Sequence, residues 1–371
     1  MTYMEVSIIK ANELTLEEKI GQMFIIGIPG TEVDHITRYL IKEGKVGGII
    51  LYRKNILSVE HLLNLLNSIR DLNRANKVPL FISIDQEGGR VNRMPQEILN
   101  VVSAKKVSKC GGELCYESGR VIGKMLRDFG INMDFAPVLD IGGFKDSHAL
   151  GDRCVGSNAE EVAENGINIM KGIREEKVIP TMKHFPGHGA SRADSHLFMP
   201  VIYKRVRRLK IEDMYPFIKA INEGAESIMV GHLLVADVNS IYPASLSDKV
   251  IKDILRRDLK YKGLVITDDL SMKGITLNFG ITHPVVKAIK AGADIIMINK
   301  EHKNKKRVLQ NVLRLANRNS LKIEEINNSV QRILDIKEKY ELSDKYITEY
   351  DIQDINDKIN ELNIKVETKI I

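Results

Sequence analysis

The chain has 371 residues, of which 43% are hydrophobic and 28% are charged, and its formal net charge is +6 at pH 7. This composition is typical of a globular protein with enough apolar material for a core, and it excludes a disordered or fibrous chain. No apolar run reaches the roughly eighteen residues that a membrane span needs, and the first ten residues lack a secretory signal pattern. We therefore expect a cytoplasmic protein.

Two further classes of protein are excluded by local composition. The three cysteines, Cys110, Cys115 and Cys154, are too few and too irregularly spaced for a disulfide framework or a structural zinc site. The densest basic run, residues 204–210, lacks the interleaved aromatic side chains of a single-strand nucleic-acid platform. Because basic runs are usually solvated faces, we expect no nucleic-acid partner.

Short apolar segments rich in β-branched residues recur along the chain, with amphipathic segments between them. The segments that predict strands are 23–28, 48–52, 80–84, 132–136, 180–183, 227–230, 264–267 and 294–298. The segments that predict helices include 58–73, 113–129, 159–175, 212–222 and 248–259. Continuously apolar strands that alternate with helices predict a parallel sheet, and eight such units predict an α/β protein with a single-domain (β/α)8 TIM-like barrel. A doubly wound open sheet would use the same local patterns, but the strand count favours the barrel.

The chain is predicted to divide at about residue 340. The barrel domain would cover residues 1–340, and no second globular domain fits in the remaining 341–371. That segment is rich in charged residues and carries Ile352, Ile355, Ile359 and Leu362 at helical spacing. It is predicted to be a helical tail packed on the barrel rather than a partner-binding helix, and we expect a monomer.

Polar side chains follow the predicted strands at the points where those strands end. They are Asp85 after the third strand, Asp140 and Arg153 after the fourth, Lys183 and His184 at the end of the fifth, His232 after the sixth, Asp268 after the seventh and Asn299 after the eighth. The loops at the C-terminal ends of barrel strands converge on one mouth. The sequence therefore predicts a single site assembled from distant positions.

The segment 183–196, KHFPGHGASRADSH, holds the densest set of groups suited to catalysis. A proline and two glycines exclude a helix, so these side chains lie on irregular backbone. Asp194 and His196 are two residues apart, so both point the same way in an extended segment. A carboxylate beside an imidazole fixes its tautomer and raises its basicity, which predicts a general acid/base pair.

Asp268 directly follows the seventh predicted strand, in the segment GLVITDDLSM. A carboxylate at the end of a buried strand is held rigidly, as a nucleophile must be. The neighbouring Asp269 would point elsewhere, and we interpret it as a structural or orienting group. The alternative for the pair is an N-cap of the following helix, a common role for aspartate, and the two roles are not exclusive.

Residues 85–93, DQEGGRVNR, place acids, glycines and two arginines directly after the third predicted strand. The glycine pair does not complete a phosphate-binding motif. Carbohydrate hydroxyls are the better match, because aspartate accepts hydrogen bonds from vicinal hydroxyls while arginine and lysine donate them.

A metal site is the alternative for the histidine-rich segment. Its candidate ligands would be His184, His188, His196 and Asp194. The first two histidines are four residues apart, but the intervening proline and glycine remove the helical geometry that gives this spacing its force in zinc enzymes. We therefore expect no metal.

These motifs together resemble the β-N-acetylglucosaminidases of glycoside hydrolase family 3, bacterial exo-acting enzymes of peptidoglycan recycling. The resemblance runs from about residue 14 to 340 and is most specific over 85–93, 136–140, 151–153, 183–196 and 267–272. It implies that Asp268 is the nucleophile, His196 the acid/base and Asp194 its partner. It also implies that no metal or organic cofactor is needed. The side chains that would hold the N-acetylglucosamine (GlcNAc) ring are Asp85, Arg93, Arg153, Lys183 and His184.

The reaction implied by the resemblance is double displacement with retention, acting on GlcNAc-containing muropeptides. A histidine acid/base departs from the usual pair of carboxyl groups. Because a neutral base does not repel an anionic second nucleophile, phosphorolysis is a variant of the second step. The competing hypotheses are a metal-dependent amidohydrolase-like barrel and a catalytically silent amino-sugar binding protein. Within this scheme His188 supports the turn, and His232 has no assigned role.

Overall fold

The computed structural model describes residues 9–142, 150–190, 199–299 and 302–370. The strands are β1 Phe24–Gly27, β2 Gly48–Leu51, β3 Phe81–Ile84, β4 Met133–Asp134, β5 Ile179–Phe185, β6 Val201–Ile202, β7 Ser227–Val230, β8 Leu234–Val235, β9 Leu264–Thr267 and β10 Ile296–Ile298. The α-helices are α1 Leu16–Gln22, α2 His35–Lys42, α3 Val59–Asn73, α4 Ala104–Ser108, α5 Gly112–Asp128, α6 Ala159–Glu175, α7 Val206–Ile211, α8 Tyr215–Asn222, α9 Lys273–Phe279, α10 Thr282–Ala291, α11 His302–Asn317, α12 Ile323–Lys339 and α13 Ile352–Ile370.

Eight of these strands form one parallel sheet in the order β10-β1-β2-β3-β4-β5-β7-β9. An isolated parallel bridge between Ile266 and Ile295 links the two ends of the sheet, which nearly closes it into a barrel. The predicted (β/α)8 architecture is therefore confirmed, and the alternative of a doubly wound open sheet is wrong. A separate pair formed by β6 and β8, each two residues long, was not predicted.

Several outer helices begin at side chains that bond to free backbone amides. Thr15 caps α1 in a reciprocal capping box, and Asp34, Ser58 and Asn158 cap α2, α3 and α6. Such caps satisfy amides that have no partner inside the helix. These caps define the residue at which each helix begins and therefore the residue at which the preceding loop ends.

Two predicted helices differ from the structure. The helix predicted over 212–222 begins only at Tyr215, because Pro216 occupies the first turn of α8, where its missing N–H leaves no helical bond unmade. Residues 212–214 form a turn, and the separate helix α7 ends before them at Ile211. The segment predicted as a helix over 248–259 is helical, but it is a π-helix over Lys249–Asp258.

The N-terminal end of the barrel is closed by a buried lysine of α12. Lys337 Nζ donates to Gln22 Oε1 at 2.7 Å, to the Gly47 carbonyl at 2.9 Å and to the Pro79 carbonyl at 2.6 Å. Burial lowers the pKa of Lys337 to about 7. These acceptors precede the first three strands, so the contacts of Lys337 stabilise the N-terminal end of the barrel. Active sites of such barrels lie at the opposite, C-terminal end.

The last helix, α13, buries four apolar side chains, Ile355, Ile359, Leu362 and Val366. Its polar side chains also contact the barrel, since Asn356 Oδ1 accepts from the Leu99 amide at 2.8 Å and Asn363 Oδ1 from the Val102 amide at 3.0 Å. The division of the chain at residue 340 stays a prediction. Among the helices of the described ranges, none has the length and apolar character of a membrane span.

Candidate active site

Four of the predicted sugar-binding residues lie in one charged network at the C-terminal end of the barrel. Lys183 Nζ, in β5, lies 2.7 Å from Asp85 Oδ1, directly after β3. Arg93 Nη2 lies 4.0 Å from the other oxygen of that carboxylate. Arg153, in the short 3₁₀ helix Gly151–Arg153, joins the same network through Glu87. Positions up to 98 residues apart therefore meet at one mouth, as predicted.

Glu87, to which the sequence analysis gave no role, is the centre of this network. Its side chain is 3% exposed. It accepts from Lys183 Nζ at 2.6 Å and from Arg153 Nε and Nη2 at 2.7 Å each. Burial alone would raise the pKa of Glu87, but the two cations outweigh it and hold that pKa well below its ordinary value. Burial alone would lower the pKa of Lys183, but the carboxylates of Asp85 and then Glu87 outweigh it and raise that pKa.

A tight turn brings Glu87 and Arg93 back to the mouth. Gly88 and Gly89 have φ of +80° and +55°, which glycine adopts at no steric cost. A Cβ at Gly88 would lie 2.8 Å from the Val102 carbonyl oxygen, so a side chain there would clash with backbone. The Glu87 amide donates to the Val91 carbonyl at 3.0 Å across the turn. The glycine pair therefore shapes the site by folding this segment back on itself.

His184, the fifth predicted sugar-binding residue, is held by the buried carboxylate of Asp140. The imidazole Nδ1 lies 2.7 Å from Asp140 Oδ2, and the His184 amide donates to Oδ1 at 3.3 Å. Burial would raise the pKa of Asp140, but the neighbouring imidazoles outweigh it and lower that pKa. Because the carboxylate accepts, His184 Nδ1 is the donor, and this fixes the orientation of the ring.

The ring of His188 makes no comparable bond. Its amide donates to Asp140 Oδ1 at 2.6 Å, while neither ring nitrogen has a hydrogen-bond partner within the part of the chain that the structure describes. Burial lowers the pKa of His188. Among these same residues, no group of three histidine, cysteine or acidic side chains is arranged to hold a metal ion.

Asp268 follows β9 directly and is partly exposed at the mouth. Its amide donates to the Val230 carbonyl at 3.0 Å, which ties it to β7, and its Oδ1 accepts from the Asp269 amide at 2.7 Å. Helix α9 begins only at Lys273, with Met272 at its N-cap, so the alternative role of an N-cap for α9 is wrong for both aspartates. The geometry leaves Asp268 as a rigidly held carboxylate.

Asp269 turns away from the mouth and joins two loops. Its Oδ1 accepts from the Ser271 amide at 2.9 Å, from Ser271 Oγ at 2.6 Å and from the Asn299 amide at 3.0 Å. Burial raises the pKa of Asp269. Asn299, which follows β10, contributes its backbone amide to this anchor. Asp269 thus fixes the loop that carries Asp268.

Tyr52 is a further residue at the mouth that the sequence analysis did not single out. Burial, and then the charges of Asp85, Asp269 and Asp268, raise its pKa well above the ordinary value. It directly follows β2, so the pattern of polar residues at strand ends, extended to tyrosine, would have identified it. Asp194 and His196 lie in 191–198, outside the described residues.

The chain from residue 15 to 336 matches the glycosyl hydrolase family 3 N-terminal domain. The chain belongs to this family. It is therefore a glycosidase, as the motifs predicted. The match spans the whole barrel, from α1 to α12.

Relatives and solved structures agree with this assignment. A β-hexosaminidase of Photobacterium profundum is 33% identical over 276 residues, which cover 74% of this chain and 80% of the relative. A β-hexosaminidase of Idiomarina loihiensis is 32% identical over 279 residues, 74% of this chain and 82% of the relative. The structure of a family 3 β-N-acetylglucosaminidase from Paenibacillus sp. str. FPU-7 aligns with a TM-score of 0.87 and 34% identity, over 94% of this chain and 68% of that one.

Proposed function

We propose that the enzyme is a retaining exo-β-N-acetylglucosaminidase that removes terminal β-1,4-linked GlcNAc from peptidoglycan fragments. The observation that carries the proposal is the carboxylate of Asp268, held at the end of β9 by the amide of Asp269. The β-hexosaminidase and β-N-acetylglucosaminidase relatives support a terminal N-acetylhexosamine as the substrate. Muropeptides are the proposed physiological form of that substrate.

The sugar ring would be held by Asp85, Arg93, Arg153, Lys183 and His184. Carboxylate oxygens accept hydrogen bonds from sugar hydroxyls, while the ammonium, guanidinium and imidazole groups donate them. Bonds among these residues and to Glu87 and Asp140 fix the donors before the sugar arrives. A site preorganised in this way discriminates strongly against analogues that lack a hydroxyl.

In the proposed reaction, an oxygen of Asp268 attacks the anomeric carbon while His196, protonated and paired with Asp194, gives its proton to the leaving glycosidic oxygen. The C–O bond to the leaving group breaks as the glycosyl–aspartate bond forms. Neutral His196 then takes a proton from water, whose oxygen displaces Asp268 from the anomeric carbon. Two inversions leave the β-configuration unchanged.

The experiment that tests this function is incubation with a chromogenic β-GlcNAc glycoside and with a muropeptide, followed by mass spectrometry of the products. We expect free GlcNAc, with or without inorganic phosphate. A sugar phosphate formed only when phosphate is present would assign the phosphorylase variant instead. Bound sugar without turnover would favour a silent binding protein, and turnover abolished by a chelator would favour a metal-dependent enzyme.

Replacing His196 with alanine is expected to slow poor leaving groups far more than activated ones. General acid catalysis contributes about 10²–10⁴-fold, and an activated aryl group departs without that proton. We therefore expect kcat on a muropeptide to fall by about that factor, while the glycosylation step with an activated aryl glycoside changes little. Equal losses on both substrates in kcat/KM, which reports the glycosylation step, would exclude His196 as the acid.

We also propose that the enzyme works as a monomer in the cytoplasm. The thiols of Cys110, Cys115 and Cys154 are all free and buried, which supports a reducing compartment. Burial raises the pKa of Cys115 and of Cys154 to about 12, so both remain protonated and unreactive at neutral pH. Cell fractionation and gel filtration test this part of the proposal.

A further inference from the structure

His232, in the loop after β7, is a fully buried histidine whose two ring nitrogens are both engaged. Its Nε2 lies 2.9 Å from the Asp269 carbonyl oxygen, and its Nδ1 lies 2.8 Å from Ser245 Oγ. Because a carbonyl oxygen only accepts, Nε2 carries the proton and donates. In the neutral imidazole, Nδ1 then accepts the hydroxyl proton of Ser245.

The carbonyl that His232 holds belongs to the residue next to the proposed nucleophile. The amide of Asp269 donates to Asp268 Oδ1 at 2.7 Å. The side chain of Asp269 is fixed by Ser271 and by the Asn299 amide. Residue 269 is therefore anchored through its carbonyl as well as its side chain, and its amide cannot swing away from the carboxylate that it orients.

Ser245 is itself held by backbone bonds to the loop that follows β7. Its amide donates to the Gly231 carbonyl at 3.2 Å, and the amide of Ala244 donates to the Leu233 carbonyl at 2.7 Å. Ser245 also belongs to a 3₁₀ helix, Ala244–Leu246, and is fully buried. The hydroxyl that contacts His232 thus lies on a short helix that is bonded to the loop after β7. The contacts continue from Ser245 through His232 to Asp269, which follows β9.

We propose that His232, supported by Ser245, is a positioning residue for the glycosidase reaction. Through the Asp269 carbonyl it fixes residue 269, whose amide, in the peptide on the other side of the Asp269 Cα, orients the carboxylate of Asp268 toward the anomeric carbon. This inference rests on the proposed role of Asp268 as nucleophile. His232 is not the acid or base, since it is fully buried and its two nitrogens already bond to protein groups. It acts on the reaction only through residue 269.

The test compares His232→Phe, which removes both bonds but keeps an aromatic ring, with His232→Gln, which keeps a donor for the Asp269 carbonyl. Displacement of a reacting group by about 1 Å costs about 100-fold in rate, so we expect His232→Phe to lower kcat by about that factor. KM for a chromogenic β-GlcNAc glycoside should change little, because the sugar-binding side chains are untouched. His232→Gln should recover a large part of the lost kcat.

Two further variants complete the experiment. Ser245→Ala removes the hydroxyl that supports the imidazole and should lower kcat in the same direction as His232→Phe. His61→Phe, on the outer helix α3, is the matched control and should leave kcat and KM unchanged. If His232→Phe fails to fold, as judged by circular dichroism, then Ser245→Ala decides the question, since a positioning role predicts a lower kcat with little change in KM.

The outcomes separate this inference from the proposed function. Folded His232→Phe with unchanged kcat, or with raised KM and unchanged kcat, would overturn the positioning role. If His232→Phe does not fold, unchanged kcat in Ser245→Ala would overturn it too. Asp268→Ala is measured in the same assay, and an inactive Asp268→Ala enzyme would leave the nucleophile assignment intact. Full activity in Asp268→Ala would instead remove the proposed mechanism itself.

Discussion

Replacing Asp268 with alanine is expected to lower kcat by about 10⁴-fold or more, since loss of a nucleophile removes the covalent route altogether. Affinity for free GlcNAc should be retained, because the residues proposed to hold the ring are unchanged. The measurements are kcat on a chromogenic β-GlcNAc glycoside and the binding of GlcNAc by calorimetry. A fall in kcat without a fall in sugar affinity is the signature of a group that acts in the transition state.

The control for this variant is Asp335→Ala on the outer face of α12. Asp335 is exposed, and its side chain accepts from Gln331 one turn earlier on the same helix, so its removal should change neither kcat nor sugar affinity. Asp268→Ala enzyme that retains a substantial fraction of kcat would show that the nucleophile lies elsewhere. Loss of sugar affinity together with kcat would show that Asp268 binds the ground state.

Replacing Glu87 with glutamine is expected to have the largest effect on stability. The change leaves Lys183 and Arg153 buried at the mouth without the carboxylate that both contact. Breaking a buried ion pair by removing one partner costs about 3–5 kcal/mol when the remaining charge is left uncompensated. Lys183 keeps its contact with Asp85, which places the expected loss at the lower end of that range. We expect the free energy of unfolding at pH 7, from denaturant titration, to fall by about that amount.

The pH dependence of stability offers a second test of the same pairing. The pKa of Glu87 is depressed in the folded protein from its ordinary value of 4.5. Such a group contributes stability above its unfolded pKa and loses that contribution as the pH falls toward its folded pKa. The wild-type Tm should therefore decline below about pH 4.5, and the gap between wild type and Glu87→Gln should narrow there.

The control for Glu87 is Glu43→Gln, at the exposed C-terminus of α2. Surface substitutions of this kind usually change stability by less than about 0.5 kcal/mol. Glu87→Gln that is as stable as Glu43→Gln at pH 7 would contradict the central role of this carboxylate. So would a gap in Tm that stays constant, or widens, as the pH is lowered.

The barrel could be predicted because its signals are local. Each strand is a short apolar run buried on both faces, and each of the eight predicted positions contains a strand of the sheet. The residues that end these runs, such as Asp85 and Asp268, could be assigned to one mouth because parallel strands share an end. The charged contact between Lys183 and Asp85 follows from that rule, although they are 98 positions apart.

The contacts that organise the mouth could not be predicted, because they depend on how the loops fold back. Glu87 reaches Lys183 and Arg153 only through the turn at Gly88 and Gly89, whose positive φ values the sequence permits but does not require. The bond from His232 to the Asp269 carbonyl involves backbone, which leaves no signal in side-chain type. Sequence patterns therefore placed these residues at one end of the barrel without revealing how their charges are paired.

The covalent intermediate is the central claim, and trapping it is the most direct test. A GlcNAc derivative with fluorine at C5 and fluoride as the leaving group should react with Asp268 and leave a glycosyl-enzyme that hydrolyses slowly. We predict that mass spectrometry of peptides from the trapped enzyme will find one sugar, attached to the peptide that contains Asp268. Inactivation with the sugar on another residue, or steady turnover with no attached sugar at any time, would contradict the account.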